Sequence, residues 1–168
     1  GVEVTAVELN EDVATASSLM MGLSPTCEVV VDDAWDFVGK ASRDMVQGTE
    51  PGWDVVLVDI FDENNETPAV FLSDEFYSAL QGLFRPGGGA LMLQNLHTVE
   101  GTFLQERYDA ADAAAARAWG TGSWRCETRC QFVTGNCVLG YCKQLPDGME
   151  VGTEEAGLTL AAVSVTQE

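Results

Sequence analysis

The run Trp53-Asp-Val-Val-Leu-Val-Asp-Ile-Phe-Asp62 constrains this chain more than any other stretch. It is an apolar segment that stops abruptly at two carboxylates, Asp59 and Asp62. A continuous apolar run of this kind predicts a strand buried on both faces, at the centre of a parallel sheet covered by helices. In open α/β sheets, ligands bind at the carboxyl ends of the strands. Asp59 and Asp62 are therefore candidate site residues. The competing expectation is that one Asp caps a loop and the other is merely solvated.

The surrounding pattern extends this reading. Val2 to Leu9 alternates as a strand, and Asn10 is placed to cap a helix from Glu11 to about Met21, which Gly22 ends. Cys27 to Val31 reads as a second strand closing on Asp32-Asp33. A helix from Ala34 to Val46 follows, with Trp35, Val38 and Ala41 or Met45 on one face. After the opening strand, Asp62 to Pro68 is a polar loop. Ser73 caps a helix lined by Phe76, Leu80 and Leu83, and Pro86-Gly-Gly-Gly89 breaks the chain before a strand from Ala90 to Asn95. An Ala-rich helix from Gly101 to Trp119 precedes two antiparallel strands, near Trp124 to Val133 and Asn136 to Lys143. The order βαβαβαβαββ predicts an α/β doubly wound, mostly parallel sheet with a C-terminal antiparallel hairpin. One domain over residues 1–145 and an acidic extension over 146–168 are expected.

Glu8, Asp33 and Asp59 each fall at a strand end, with Asn95 on a fourth strand. Carboxylates repeated at strand ends line one rim of such a sheet. A ribose diol needs a bidentate acceptor, which a carboxylate at the end of the second strand supplies, and an adenine amino group needs an acceptor, for which Asp33 is a candidate. A cationic amine needs carboxylates that bind and deprotonate it, and Asp59 and Asp62 suit that task. His97, the only histidine, reads as a polar loop residue, and Trp35, Trp53, Trp119 and Trp124 read as core or half-buried. Gln94-Asn95 suits either substrate contact or loop capping. Gly87-Gly88-Gly89 precedes a strand, so it is not a phosphate cradle, which follows one and opens a helix.

Charge narrows the partners. The 168 residues carry 27 acidic and 8 basic side chains, a net charge of −19. Such a surface repels phosphates, so no nucleic-acid partner is expected, whereas polyamines, metal ions or a basic protein suit it. Simple solubility, or adaptation to a salty compartment, explains the charge equally well. No apolar run reaches the length of a membrane span, and a soluble cytoplasmic or organellar protein is expected. Cys126, Cys130, Cys137 and Cys142 form C-x3-C-x6-C-x4-C, which is not a usual zinc spacing. No metal site is expected. On a hairpin, Cys126 and Cys142 are candidates for a cross-strand disulfide, although packed thiols are the favoured state.

Five segments together resemble a known family. They are Val4-Thr-Ala-Val-Glu8-Leu-Asn, Val31-Asp-Asp33-Ala-Trp-Asp-Phe, the Trp53–Asp62 run, Phe71-Leu-Ser-Asp-Glu-Phe76-Tyr and Leu83-Phe-Arg-Pro-Gly-Gly-Gly-Ala-Leu91. They resemble the spermidine synthase-like branch of the class I S-adenosylmethionine-dependent methyltransferase fold. Gly135-Asn-Cys-Val-Leu-Gly-Tyr-Cys-Lys143 resembles that branch's last strand, so the likeness covers about Val2 to Lys143. It implies that Glu8 holds the cofactor ribose and Asp33 contacts the adenine. It further implies that Asp59 deprotonates the attacking amine and that Asp62 binds the polyamine. The implied cofactor is decarboxylated S-adenosylmethionine or S-adenosylmethionine, and the implied reaction is aminopropyl or methyl transfer.

The chain departs from the family pattern by starting, at Gly1, on what would be the family's second strand. The glycine-rich loop after the first strand, and the β-rich region that precedes it, are not in this sequence. Three arrangements are expected: a piece of a longer protein, a strand supplied by another chain, or direct pairing of the flanking strands in a shrunken sheet. The departure raises an alternative to catalysis, a structural or interaction subunit of a larger assembly, for which a protein partner completing the sheet is expected.

Overall fold

The computed structural model describes residues 2–20, 22, 26–48, 52–97, 102–120, 123–129 and 136–143. The chain divides into two compact units, residues 1–50 and 51–168. Residues 146–168, expected as an acidic extension, lie outside the described residues.

In the first unit, β1 (Val4–Glu8) pairs in parallel with β2 (Cys27–Val31), with Val4 opposite Cys27 and Glu8 opposite Val31. The crossover is α1 (Glu11–Met20). Asn10 caps it, since its Oδ1 accepts from the Asp12 and Val13 amides at 2.9 and 3.3 Å. Gly22 follows with φ of 60°, a conformation that costs glycine little. Next, α2 (Ala34–Gln47) buries Val38 and Ala41, as the helical spacing predicts, and ends at Gly48 with φ of 73°. These are short elements around a few small side chains.

The second unit holds β3 (Val55–Val58), β4 (Leu91–His97), β5 (Trp124–Arg129) and β6 (Asn136–Cys142) in the spatial order β3-β4-β6-β5. The β3–β4 pair is parallel and the other two are antiparallel, as the sequence pattern predicts. Two helices cover this sheet, α3 (Asp74–Gln81) and α4 (Phe103–Trp119), with a 3-10 turn over Ala69–Leu72 before α3. The Ser73 Oγ accepts from the Phe76 amide at 3.2 Å, the expected cap. Each unit thus has its own sheet among the described residues. Direct pairing of β1 with β3 in one shrunken sheet, the third arrangement considered, is not what these sheets contain.

Alternation along the strands sorts the second unit's core. Val58 on β3, Met92, Gln94 and Leu96 on β4, and Cys137, Leu139 and Tyr141 on β6 are buried, and the register sets them on one face. Tyr77 of α3 donates its hydroxyl to Gln94 Oε1, and Gln94 Nε2 donates to the Phe71 carbonyl at 3.2 Å. From α4, the Asp112 carboxylate accepts from the Tyr141 hydroxyl at 2.6 Å and from Arg125 Nε at 2.7 Å. The helix layer therefore lies on this face.

The other face corrects an expectation. The strand was predicted to be buried on both sides, yet Val55 is 37% and Leu57 71% exposed, while Val58 is 5% exposed. With a period of two, α3 and α4 cover only the side that Val58 occupies. The hairpin register corrects another: Cys126 stands opposite Gly140, and Cys142 opposite Trp124. Cys126 and Cys142 are not cross-strand partners, and Cys142, Cys137 and Cys27 carry thiols.

The Tyr77–Gln94 bond makes a prediction. Tyr77→Phe leaves a buried amide oxygen without its donor, so it costs about 1–3 kcal/mol in urea unfolding. Burial pushes the Tyr77 phenol well above its ordinary value of 10.0, against the opposing Gln94 hydrogen bond and with smaller help from Tyr141 and Asp112. Burial and the Asp112 carboxylate do the same to Tyr141. Both then favour the folded chain below pH 10 or so, and that contribution is lost as pH rises beyond it. Near-ultraviolet phenolate absorbance should rise for these two only as the chain unfolds. Phenolate formation in the intact fold near the ordinary value would contradict this.

Candidate active site

The carboxyl end of β3 is where the sheet presents its acids. Asp59 directly follows β3 and is exposed. The side chain of Asn95, on the neighbouring β4, donates from Nδ2 to Asp59 Oδ1 at 3.0 Å. The parallel register explains the contact, because Val58 stands opposite Gln94 and the next pair of positions is Asp59 and Asn95. The Asn95 Oδ1 atom is buried without a hydrogen-bond partner among the described residues. The exposed Asp59 carboxylate keeps acceptor capacity beyond the Asn95 bond, which suits a donor such as an ammonium or an amine N–H. Beside them, Phe61 and His97 set their rings 4.8 Å apart at 33°. His97 is the last residue of β4 rather than a loop residue, and it stands opposite Asn136.

Asp62 has a different setting. Its Oδ1 accepts from the backbone amides of Asn64 and Glu66, both at 2.9 Å. Its own amide donates to the Glu66 carbonyl at 2.8 Å, and Asn65 takes φ of 63° in the turn. Asp62 therefore organises the loop that follows β3. Arg107 of α4 ties the end of that loop down by donating to the Thr67 carbonyl, with Glu66 at 4.0 Å. The amide donors, the Glu66 amide first, hold the Asp62 carboxyl below its ordinary value of 3.8.

In the first unit, Glu8 ends β1 and its Oε1 accepts from the Asn10 amide at 2.8 Å. Asp33 caps α2, where its Oδ1 accepts from the Trp35 amide at 2.7 Å and from the Asp36 amide at 3.4 Å. Both carboxylates stand at the carboxyl ends of their strands, as the sequence predicts. Each also has a local backbone task.

Three features were missed or only half seen from sequence. The Asn95 contact to Asp59 was legible in principle, since two adjacent parallel strands end in these residues. The Phe61–His97 stack needs the register to be known. Arg107 gave no signal, because its partner is a backbone carbonyl forty residues away.

Comparison with known proteins gives the fold its class. No family model matches the chain. It is 38% identical over 65 residues to a polyamine aminopropyltransferase from Aeropyrum pernix, a match spanning 38% of this chain and 18% of that protein. Human methyltransferase-like protein 13, solved in complex with SAH, superimposes with a TM-score of 0.69 at 16% identity, covering 96% of this chain and 76% of that one. A probable spermidine synthase from Corynebacterium glutamicum superimposes with a TM-score of 0.59 at 21% identity, covering 83% and 47%. This chain has the class I S-adenosylmethionine-dependent methyltransferase fold, and the match to the aminopropyltransferase supports its spermidine synthase-like branch. No helix among the described residues is long and apolar enough to cross a membrane.

The Asp62 loop makes the next prediction. Its amide bonds need the ionised carboxylate, whose folded value is lowered. The loop is thus fully supported above about pH 4 and loosens as pH falls through the lowered value. Asp62→Ala should speed hydrogen exchange at the Asn64 and Glu66 amides at neutral pH, while the β4 amides stay protected. Unchanged exchange at both loop amides would show that Asp62 does not hold the loop.

Proposed function

We propose that this chain carries the nucleotide-binding and amine-binding carboxylates of a spermidine synthase-like transferase, which moves an aminopropyl or methyl group to an amine. The observation that carries this reading is the Asp59 carboxylate, exposed at the end of β3 and oriented by Asn95 from β4. Glu8 and Asp33 are the residues to hold a nucleoside, one at the ribose diol and the other at the adenine amino group. Both fit chemically, as acceptor groups at the ends of parallel strands. S-adenosylmethionine or its decarboxylated form, when bound, supplies an electrophilic carbon attached to a sulfonium.

Every other role falls to the chain's own residues. Asp59 holds the acceptor amine by an N–H···O contact and takes the proton that the amine must lose. Asn95 fixes the carboxylate, so that little reorientation is needed when the amine arrives. Asp62 keeps the following loop in place and adds negative charge that favours a cationic substrate. The acidic surface raises the local concentration of polyamines before they dock.

A second reading has its own support. Val55 and Leu57 expose an apolar face of β3, and Asp33 and Asp62 both serve backbone caps. These suit a structural or interaction role in a larger protein assembly, with the acids kept for local folding.

Calorimetric titration of the full chain with methylthioadenosine and S-adenosylmethionine separates the two. The transferase reading predicts saturable binding that Glu8→Gln weakens by about ten- to a hundredfold, the order for a hydrogen bond to a charged group. Asp59→Asn should leave nucleoside binding intact and lower transfer by about 10²–10⁴. A folded chain that takes up neither nucleoside would favour the structural reading instead.

A further inference from the structure

A second recess lies in the second unit, at the opposite end of the sheet from Asp59. Gln81 at the end of α3, Phe84 and Arg85 of the α3–β4 connection, Ala90 before β4, Trp119 at the end of α4 and Lys143 after β6 line an open cleft of about 250 Å³. Ala90 and Lys143 meet at its base, where the Lys143 amide donates to the Ala90 carbonyl at 3.1 Å. His97 ends the same strand that Ala90 precedes. Along β4 the path from Ala90 to Asn95, which holds Asp59, runs through Leu91 to Gln94 and spans roughly 16 Å at ~3.3 Å per residue. The cleft therefore belongs to a different site.

Its lining differs from the rest of this acidic chain. Phe84 and Trp119 form an edge-to-face pair with centroids 5.9 Å apart, which supplies an aromatic wall. Trp119 is 1% exposed, and its indole N–H meets no acceptor among the described residues. A buried donor without a partner is costly. Gln81 is already engaged, donating to the Ala118 carbonyl at 2.9 Å. Two of the chain's 8 basic residues stand here. Arg85 is held in place by Asp54 at 3.5 Å and by the Gly52 carbonyl at 3.4 Å. Lys143 is exposed and makes no ion pair among the described residues.

We infer that this cleft is a binding site for a small carboxylate with a planar apolar body. The ring packs against Phe84 and Trp119, and the carboxylate is met by Lys143, with Arg85 contributing at the rim. The volume lies below the ~300–1,000 Å³ of sites for drug-sized ligands, which excludes a whole nucleoside cofactor and suits a single-ring acid. Because the cleft and the Asp59 rim share no residue, this inference stands whether or not the chain is a transferase.

Benzoate is the probe and benzyl alcohol its uncharged counterpart. In an NMR titration of the full chain, benzoate should shift the Trp119 indole N–H resonance saturably, and benzyl alcohol should bind more weakly. Lys143→Gln, on an exposed residue, should weaken benzoate by about two- to fivefold, the order of an exposed ion pair, without affecting benzyl alcohol. Ala90→Leu, which fills the cleft, should abolish both responses. Absence of a saturable benzoate response in the folded chain would overturn the inference. So would a benzoate response indifferent to both Lys143→Gln and Ala90→Leu.

Discussion

The parallel pairing of β3 with β4 is the constraint on which the second unit depends. Its register puts Val58 beside Gln94 and thereby sets two consecutive residues of β4 to opposite tasks. Gln94 faces the helices, where it accepts from the Tyr77 hydroxyl and donates to the Phe71 carbonyl. Asn95 turns to the other face and holds Asp59. A slip of one residue would exchange these faces, leaving a buried amide unsatisfied on one side and an unheld carboxylate on the other. The same ladder thus anchors the helix layer and orients the acid.

Much of the fold was legible from local signals because those signals are local in origin. Asn10 and Ser73 cap helices by bonding amides two or three residues on, and their position before an apolar periodic segment is enough to find them. The end of β3 was visible for a similar reason, since an apolar run cannot continue through Asp59 and Asp62. What escaped the sequence depends on partners far along the chain. The exposed Val55 and Leu57 look like a buried strand because composition does not reveal that helices cover one face only. Cys126 and Cys142 looked pairable because hairpin spacing leaves the register open, and the observed register separates them.

The candidate acids show the same division. Their placement follows from the pattern: the structure keeps Glu8, Asp33 and Asp59 at strand ends and sets Asp62 in the loop that follows β3. Their working partners do not follow from it. Asp33 and Asp62 both bond backbone amides, a use common to structural and functional carboxylates. Asp59 is distinguished by its environment, since its contact comes from a side chain on another strand and its carboxylate remains open to solvent. That difference sets it apart from Glu8, Asp33 and Asp62, which accept from nearby backbone amides.

The account therefore turns on whether an amine meets Asp59 and Asn95 in preference to the rest of an acidic surface. Titration of isotope-labelled full chain with putrescine, followed by NMR at moderate salt to screen exposed charges, tests this directly. The account predicts saturable shifts of the Asn95 side-chain amide and of the backbone amides of residues 59–62, both lost in Asp59→Asn. Shifts spread over exposed acids such as Glu11, Asp12 and Glu28, with the Asn95 amide unmoved, would contradict it.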